Sequence, residues 1–390
     1  MKLSRLRNFV LFASFLVIAG VAGFTFGRHD RSQSSSVANN TRNLGLFWDV
    51  WGRLSTNYLD KEALKDGQMI NGAIKGMVAS LGDPYTVFLS PEENKQAKED
   101  LNGSFGGVGI QLGYNKDNQL SVIAPLTGTP ADRAGVKTGD LILKIEGKIT
   151  EGITLLEAVK LIRGPEGTKV KLTLLRSGIN DAFEVNLERS TIVVASVELE
   201  FIDNLAHLKL IRFGDRTEEE WHQAVSQIVA QNSRGVILDL RNNPGGYLSG
   251  AVFVASEFLS SGVVVSQESR DGVKDDYQVN RQGRLTDFPL IVLINPGSAS
   301  ASEIVAGALQ DHHRAKIVGE KSFGKGSVQE AEDFSGGAGL HITVARWLTP
   351  QGNSIAGQGI TPDIEVKSST DQSEVDLPLE QALEILSKTK

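Results

Sequence analysis

Three serines follow a strongly apolar segment in the C-terminal half of the chain. Residues 290–294 (LIVLI) have the continuous apolar pattern of a buried strand, and NPGSASASEI at 295–304 follows directly. A serine at a helix N-terminus has free N–H groups and the helix dipole beside its hydroxyl, and both favour developing negative charge. Ser300 is therefore a candidate nucleophile. Serine is also a favoured N-cap residue, so this segment alone leaves both interpretations open.

A second strand–turn–helix pattern supplies a candidate oxyanion site. The largely apolar run VILDL at 236–240 leads into RNNPGGY at 241–247. A glycine pair after a buried strand can present a backbone N–H to a negatively charged oxygen, and the N–H of Ala301 gives a second donor. Gly245 and Gly246 are the candidates. An ordinary turn with glycines at positive φ is the alternative.

A glycine-rich loop near residue 320 resembles a nucleotide-binding sequence in its spacing. The pattern G-x-x-x-x-G-K is complete from Gly319 to Lys325. The next residue is Gly326, where a phosphate-binding loop requires Ser or Thr to hold Mg²⁺. The SVQEA pattern at 327–331 also predicts a strand, whereas such a loop must open a helix. We therefore reject nucleotide binding.

Lys325 offers a different chemistry. Its flanking glycines lie between apolar segments, so the side chain can reach into a partly dry cleft. Desolvation disfavours the charged amine and lowers its pKa, so a neutral lysine can accept a proton from a serine. By the strand period of two, Gln329 lies on the same face and its amide oxygen can hold the amine. A solvated surface lysine is the alternative.

Other catalytic chemistries find less support in the sequence. The chain has no cysteine, which excludes thiol nucleophiles, disulfides and thiolate metal sites. It has neither a G-x-S-x-G nor an H-E-x-x-H motif. A histidine base stays open, but His312 and His313 fall at a predicted helix end, where a cation complements the dipole. We expect no metal and no other cofactor.

The elements that carry these residues fall into three predicted regions and a closing helix. Residues 44–102 show helical spacing, and residues 103–187 combine short strands with one helix in a small module. Residues 188–367 alternate strands with helices, which is typical of an α/β domain. A short amphipathic helix is predicted in 368–390. The candidate catalytic residues thus lie on turns that follow strands of the α/β region.

The N-terminus predicts a membrane association. Three basic residues precede an uncharged, apolar stretch at 8–27, which can span a bilayer of about 30 Å as a helix. Basic residues on this flank favour a cytoplasmic N-terminus, with the remaining chain outside the cytoplasm. We expect residues 1–28 to be a single-pass anchor in the cell envelope and the polar residues 29–43 to be a linker. A cleaved signal peptide is the alternative.

The overall charge argues against one class of partner. The formal net charge is −7 and the pI is about 5.5, so the chain lacks the basic field of a nucleic-acid-binding protein. Hydrophobic residues make up 40% of the chain, an ordinary share for a globular protein. We therefore expect no nucleic-acid partner.

Taken together, these segments resemble the carboxyl-terminal processing proteases, or tail-specific proteases, a family of PDZ-containing serine peptidases. The motifs that carry the resemblance are DLRNNPGG at 239–246, SASASEI at 298–304, GE at 319–320, FGKGSVQ at 323–329 and TVAR at 343–346. The resemblance covers the chain from about residue 44 to residue 366. In this family the nucleophile is the middle serine, here Ser300. The base is the lysine 25 residues later, here Lys325, and Gln329 orients it.

The resemblance also implies an architecture. The fold class is α/β, with a crotonase-like (ClpP/crotonase type) protease core, an inserted PDZ domain at 103–187 and a helical segment before it. The family's carboxylate-binding loop corresponds to Gly107, Val108, Gly109 and Ile110, where N–H groups capture a substrate's C-terminal carboxylate. A plain scaffold strand is the alternative for this loop. Arg163 corresponds to a family arginine that couples the PDZ domain to the active site.

One position departs from the family pattern. Lys321 follows Gly319 and Glu320 where many relatives have proline, so a second lysine lies near the site. We retain Lys325 as the base because only it has glycine neighbours and Gln329 in register.

The sequence thus predicts a serine endopeptidase that acts through a Ser–Lys dyad and an acyl-enzyme. The expected partners are protein or peptide substrates with apolar C-termini, the membrane, and a second copy of the chain in a homodimer. An inactive PDZ adaptor on a protease-like scaffold is the alternative function.

Overall fold

The computed structural model describes residues 44–179, 181–367 and 375–388. The predicted anchor at 1–28 and the linker at 29–43 lie outside the described residues. Within the described ranges, no helix is long and apolar enough to cross a membrane.

The chain divides into two compact units, Met1–Ile70 and Asn71–Lys390. The first helices are α1 (Gly45–Asn57) and α2 (Asp66–Ala79), with a short 3-10 turn at Lys61–Ala63. None of the residues of α1 is buried. In this helix the ring centres of Phe47, Trp48 and Trp51 lie 5.0 to 6.2 Å apart.

The helical pattern predicted for the N-terminal region is interrupted by a strand. After α2 come β1 (Val87–Leu89) and α3 (Pro91–Asn102). Helix α3 begins with a capping box, in which the Ser90 and Glu93 side chains each bond the other residue's backbone N–H. Strand β1 was not predicted, because it has three residues and its partner strand lies about 250 residues further along the chain.

The middle module is an antiparallel sheet with two helices. Its elements are β2 (Ser104–Gly107), β3 (Ile110–Tyr114), β4 (Leu120–Pro125), α4 (Pro130–Arg133), β5 (Leu141–Ile145), β6 (Lys148–Ile149), α5 (Leu155–Ile162), β7 (Lys169–Leu175), β8 (Phe183–Glu188) and β9 (Ser190–Val193). The main sheet has the order β3-β4-β5-β7-β8, and β2 pairs with β9. The short strands and the helix that the sequence predicts in this region are confirmed. Strand β3 forms an edge of the sheet.

The C-terminal region is mixed α/β, as predicted. Its elements are β10 (Val197–Ile202), β11 (Leu205–Leu210), α6 (Thr217–Ala230), β12 (Val236–Asp239), α7 (Leu248–Phe258), β13 (Val263–Ser269), β14 (Lys274–Gln278), β15 (Leu290–Ile294), α8 (Ala301–Asp311), β16 (Lys316–Gly319), β17 (Ser327–Asp333), β18 (Gly339–Leu348) and β19 (Ile364–Glu365).

One sheet of this region positions the two candidate turns. Its order is β10-β11-β12-β15-β16-β19, and all pairs except β10–β11 are parallel. Strands β12 and β15 are fully buried neighbours. Their carboxyl ends share one edge, so the glycine turn and the serine turn meet there.

The second sheet brings distant segments to the same place. It has the order β1-β18-β13-β14, with β17 also paired to β18. Strand β18 therefore pairs with β1 from the N-terminal part through its first residues and with β13 through its last residues. It also pairs with β17, which follows Lys325, along most of its length.

The chain closes with α9 (Leu377–Lys388), which is the amphipathic helix that the sequence predicts. Its Ala382 and Leu386 are buried against residues of β12, β15 and β16. Ahead of the helix, Asp376 makes a two-point ion pair with Arg241 at 2.6 and 2.9 Å.

Candidate active site

Ser300 lies between β15 and α8 in an unusual backbone conformation. Its φ is 54° and its ψ is −116°. A positive φ in a residue with a Cβ costs about 1–3 kcal/mol and persists only where surrounding contacts enforce it. Strain of this kind is common at functional sites.

The two neighbouring serines supply part of that enforcement. Ser298 and Ser302 are fully buried. The Ser298 hydroxyl donates to the Leu240 carbonyl at 2.8 Å, and the Ser302 hydroxyl donates to the Asn243 carbonyl at 3.0 Å. Two of the three serines therefore fasten the turn to the end of β12, while Ser300 faces the cleft described below.

The glycine turn packs directly against Ser300. Gly245 has φ +99°, and a Cβ placed there would lie 2.7 Å from Ser300 Cβ. Gly246 has φ +141°, and a Cβ there would lie 1.9 Å from the Phe213 carbonyl oxygen. Only glycine fits either position without a shift of the backbone. The Gly245 N–H donates to Asn243 Oδ1 at 2.9 Å.

Glu303 joins the serine turn to the lysine loop. Its carboxylate is fully buried. Oε2 accepts the backbone N–H of Ser300 at 2.8 Å and that of Lys325 at 2.9 Å. Oε1 accepts the Ser322 hydroxyl and the Gly324 N–H, both at 2.6 Å. Burial raises the pKa of Glu303, and these four bonds oppose the rise. Glu303 belongs to the SASASEI motif, but the motif alone predicts no role for it.

Lys325 is half-buried in the loop between β16 and β17. Burial lowers the pKa of its amine, while the charge of Glu303 acts in the opposite direction. Its Nζ lies 5.4 Å from the centre of the Tyr85 ring. Lys321, the second lysine of this loop, is exposed and is not among the described residues that line the cleft. A strand follows the loop, as predicted, and a phosphate-binding loop would require a helix there.

Gln329 lies close to the lysine loop but not in the predicted arrangement. Lys325 precedes β17, so the alternation of strand faces does not reach it. The Gln329 amide nitrogen donates to Ser327 Oγ at 2.7 Å. The pairing register also shifts between Val328 and Gln329. The prediction that Gln329 and Lys325 share one strand face is therefore wrong. Both residues nevertheless line one cleft.

A cleft of about 930 Å³ brings the candidate catalytic residues together. The predicted residues in its lining are Ser300, Ala301, Gly245, Gly246, Lys325 and Gln329. Apolar side chains next to them include those of Phe213, Leu248, Ile304 and Trp347. A cleft with this lining can bury an extended apolar peptide segment.

His341 also lines this cleft, a position that the sequence did not predict. It lies on β18, opposite Ala331 of β17. Burial and the charge of Lys325 lower the pKa of His341, and Asp333 acts in the opposite direction. Its place two residues before TVAR gave no chemical signal, so only strand pairing reveals its position.

The predicted carboxylate-binding loop lies in the middle module, away from this lining. Gly107 ends β2, Ile110 begins β3, and the intervening Val108 is fully buried. The carbonyls of Val108 and Gly109 accept N–H groups of Ala131 and Leu126, each at 2.9 Å. Gly109 has φ +75°, a conformation that favours glycine.

Arg163 ends α5 and contacts α3. Its Nη1 donates to Asp100 Oδ1 at 3.0 Å, and its guanidinium lies 3.8 Å from the centre of the Phe105 ring. Asp100 lines the cleft, and its carbonyl accepts a bond from Arg212 at 2.6 Å. Arg163 thus reaches the wall of the cleft through Asp100 in this structure.

The described residues contain no group of three or more His, Asp or Glu side chains that could hold a metal ion.

The fold and this cleft define a class: a serine-type peptidase that carries a PDZ domain. Family models agree with both parts. Peptidase family S41 matches residues 204–366, the PDZ domain matches residues 122–176, and the N-terminal domain of the activating protease CtpB matches residues 25–93.

Similar proteins narrow the class to one family. The chain is 42% identical over 342 residues to a carboxy-terminal-processing protease of Bartonella bacilliformis. The aligned residues make up 86% of this chain and 77% of that relative. It is 35% identical to the carboxy-terminal processing protease CtpA of Bacillus subtilis, with 93% and 78% covered. Among solved structures, the photosystem II D1 C-terminal processing protease has a TM-score of 0.53 at 29% identity, over 88% of this chain and 97% of that one. The chain belongs to the carboxy-terminal processing proteases, which confirms the resemblance seen in its motifs.

Proposed function

We propose that this peptidase is an endopeptidase that works through a Ser300–Lys325 dyad and an acyl-enzyme. Ser300 Oγ attacks the scissile carbonyl carbon while neutral Lys325 Nζ takes the hydroxyl proton. The resulting ammonium returns that proton to the leaving amine, which leaves an ester on Ser300. Water then attacks the ester by the same proton route and frees the acid product.

One observation carries this proposal: a single buried carboxylate accepts hydrogen bonds from the backbone of both residues of the dyad. Glu303 Oε2 bonds the backbone N–H groups of Ser300 and Lys325, so the two side chains enter the same cleft from a shared support. The lowered pKa of Lys325 supports its role as a base, because a larger neutral fraction is then present near neutral pH.

The oxyanion site is proposed at Ala301 and the glycine turn. Ala301 begins α8, where an N–H is free of intrahelical bonds. The Gly245 N–H already donates to Asn243, so we favour the Gly246 N–H as the second donor. Two such donors typically contribute about 3–4 kcal/mol each to transition-state stabilisation.

The dyad is tested by cleavage of an unstructured protein with an apolar C-terminus. Ser300→Ala and Lys325→Ala should each lose roughly 10⁴-fold or more in kcat while remaining folded. Lys321→Ala is the matched control, since it removes an exposed lysine from the same loop, and it should keep wild-type activity. If Lys325→Ala still cleaves while His341→Ala does not, the base is misassigned.

We propose further that the PDZ domain recognises substrate C-termini with apolar side chains. Strand β3 is a sheet edge to which an extended peptide can add, and the loop of Gly107, Val108, Gly109 and Ile110 lies at its start. Amidation of a substrate's C-terminus removes the charge that the loop would capture. It should raise KM about tenfold with little change in kcat, and an unchanged KM would remove the loop from substrate binding.

Three broader proposals concern the fold of the core, the cellular location and the oligomeric state. The strands β11, β12, β15 and β16 are parallel neighbours, and each connection between them contains a helix, with β13 and β14 added between β12 and β15. This pattern supports the crotonase-like assignment of the core. The apolar N-terminal sequence supports an extracytoplasmic location, which protease treatment of intact and opened cells tests. The exposed apolar side chains of α1, such as Leu46 and Trp48, support a homodimer, which sedimentation of the full chain tests.

A further inference from the structure

The side chain of Lys325 has an aromatic neighbour that comes from the N-terminal part of the chain. Its Nζ lies 5.4 Å from the centre of the Tyr85 ring, within the range over which a cation and a ring face attract. Tyr85 is partly buried and is not among the described residues that line the cleft, so we take Lys325 as the group on which its ring acts.

The turn that carries Tyr85 is firmly held. Asp83 accepts the Tyr85 N–H at 3.0 Å and the Thr86 hydroxyl at 2.6 Å. Thr86 is buried, and its oxygen accepts the Thr343 N–H at 3.0 Å. Strand β1 then pairs with β18, with Val87 opposite His341. The chain thus fixes the ring against the same sheet that carries the cleft wall.

Nearby carboxylates do not meet the ammonium directly. Glu303 acts on Lys325 through its charge, but its oxygens accept the four N–H and O–H donors already described. In the described part of the chain, no acidic side chain lies within salt-bridge distance of Lys325 Nζ. An ammonium that forms here during the reaction needs another source of stabilisation.

We propose that Tyr85 is a positioning residue whose ring face holds Lys325 Nζ and stabilises the ammonium formed when Nζ takes up the Ser300 proton. This inference rests on the proposed role of Lys325 as the base. The negative face of the ring attracts the developing positive charge, and the attraction is stronger in a partly dry site. The catalytic unit then includes residues 83–89, which precede the PDZ domain in the chain.

A graded series of ring substitutions in the full-length protein tests this role. Tyr85 is replaced by Phe and by phenylalanine carrying one, two or three ring fluorines. Fluorine withdraws electron density from the face while it barely changes the shape, so each variant should fold. Tyr85→Phe should stay within about twofold of wild type. The trifluorinated ring and Tyr85→Leu should lower kcat roughly 5- to 30-fold with little change in KM.

The pH profile separates this role from a purely structural one. Loss of the ring's attraction makes the ammonium less stable, so the acid limb of kcat should move to lower pH as fluorines are added. The charged and titratable groups facing the amine are Glu303 on α8 and His341 on β18, while Asp333 on β17 acts on His341 and Asp83 holds the turn. All four are unchanged through the series.

Two results would overturn the proposal. One is a kcat and an acid limb that do not respond to fluorination. The other is an equal loss in Tyr85→Phe and Tyr85→Leu, which would make the hydroxyl the active part. Lys325→Ala is measured in parallel: if it still cleaves, the base itself is misassigned, whereas an inactive Lys325→Ala with a flat fluorine series rejects only the role of Tyr85.

Discussion

At the scale of single residues, the site depends on a few residues that have an unfavourable backbone conformation or an ionisable side chain removed from water. Ser300 has a positive φ, Lys325 is an amine in a partly dry place, and Glu303 is a buried carboxylate. Each is unfavourable in isolation, and each is offset by contacts with the others or with the glycine turn. Such arrangements are common at catalytic sites, where pKa values must suit the reaction.

The proposed base, Lys325, predicts the pH dependence of activity. Its pKa lies below the ordinary 10.5 because of burial, so the neutral base should appear at correspondingly lower pH. Activity should therefore rise with pH through that lowered pKa and be lost as pH falls through it. Lys325→Arg, which keeps the charge but does not deprotonate, should be inactive across the whole range. Measured kcat/KM against pH checks this. An active Lys325→Arg enzyme would contradict a lysine base.

Gly245 should be intolerant of any side chain. A Cβ would lie 2.7 Å from Ser300 Cβ and displace the proposed nucleophile, so Gly245→Ala should lower kcat at least 100-fold. Gly147→Ala is the matched control, because Gly147 also has a positive φ (+77°) but has nothing within 4 Å of the added carbon. Gly245→Ala should lose more stability than the roughly 1–2 kcal/mol of backbone strain that Gly147→Ala loses, because its added carbon also makes close contacts. Only the first should lose activity, as cleavage assays and thermal unfolding would show.

At the scale of elements, turns and pairings carry the site more than helices do. The carboxyl ends of β12 and β15 present the two turns, while β17 and β18 frame the lysine loop from another sheet. Helix α9 packs against β12, β15 and β16 of the first sheet. The ion pair of Arg241 with Asp376 links the start of this helix to the end of β12, which leads into the glycine turn.

The anchoring of α9 is testable through Asp376. Burial raises its pKa, but bonds and charge from Arg241 dominate and lower it. The stability it contributes is therefore present above its unfolded pKa near 3.8 and is lost as pH falls through the lower folded value. Asp376 Oδ1 also accepts the Leu379 N–H at 3.2 Å at the start of α9. Asp376→Asn keeps this oxygen but removes the charge, so we expect about 1 kcal/mol of destabilisation and faster hydrogen exchange in α9. Glu384→Gln, in an exposed pair with Lys388, should leave exchange unchanged.

At the scale of the whole molecule, the PDZ domain meets the peptidase through α3. Arg163 holds Asp100, and Lys98 of the same helix pairs with Asp333 at the end of β17. The helix therefore contacts both the PDZ domain and the hairpin that follows the lysine loop. This arrangement gives the PDZ domain a physical connection to the catalytic cleft.

A double-mutant cycle on Arg163 and Asp100 tests that connection. Arg163→Ala and Asp100→Ala should each reduce the preference for a free over an amidated substrate C-terminus by several-fold. The double variant should lose no more than either single one, because the two side chains act as one pair. Lys95→Ala, an exposed position on α3, is the control. Additive effects in the cycle would show that the two residues act separately.

Much of the fold and part of the site were predictable from local pattern. Apolar runs predicted β12 and β15, short strand-like segments predicted the PDZ strands, and the turns after the strands held Ser300 and the glycines. These features depend on neighbours within about ten residues, which sequence patterns report directly. The role of Ser298 and Ser302 as fasteners was not predicted, since it depends on carbonyls nearly 60 residues away.

The sequence by itself determined the family, the α/β class and the two residues proposed as the dyad. Only the tertiary structure decided the surroundings of that dyad: the four donors on Glu303, the place of His341 in the cleft, the partner of Gln329 and the ring of Tyr85 beside Lys325. The physical reason is the pairing of β1 with β18. It joins segments about 250 residues apart, and no local preference of a three-residue strand selects such a partner.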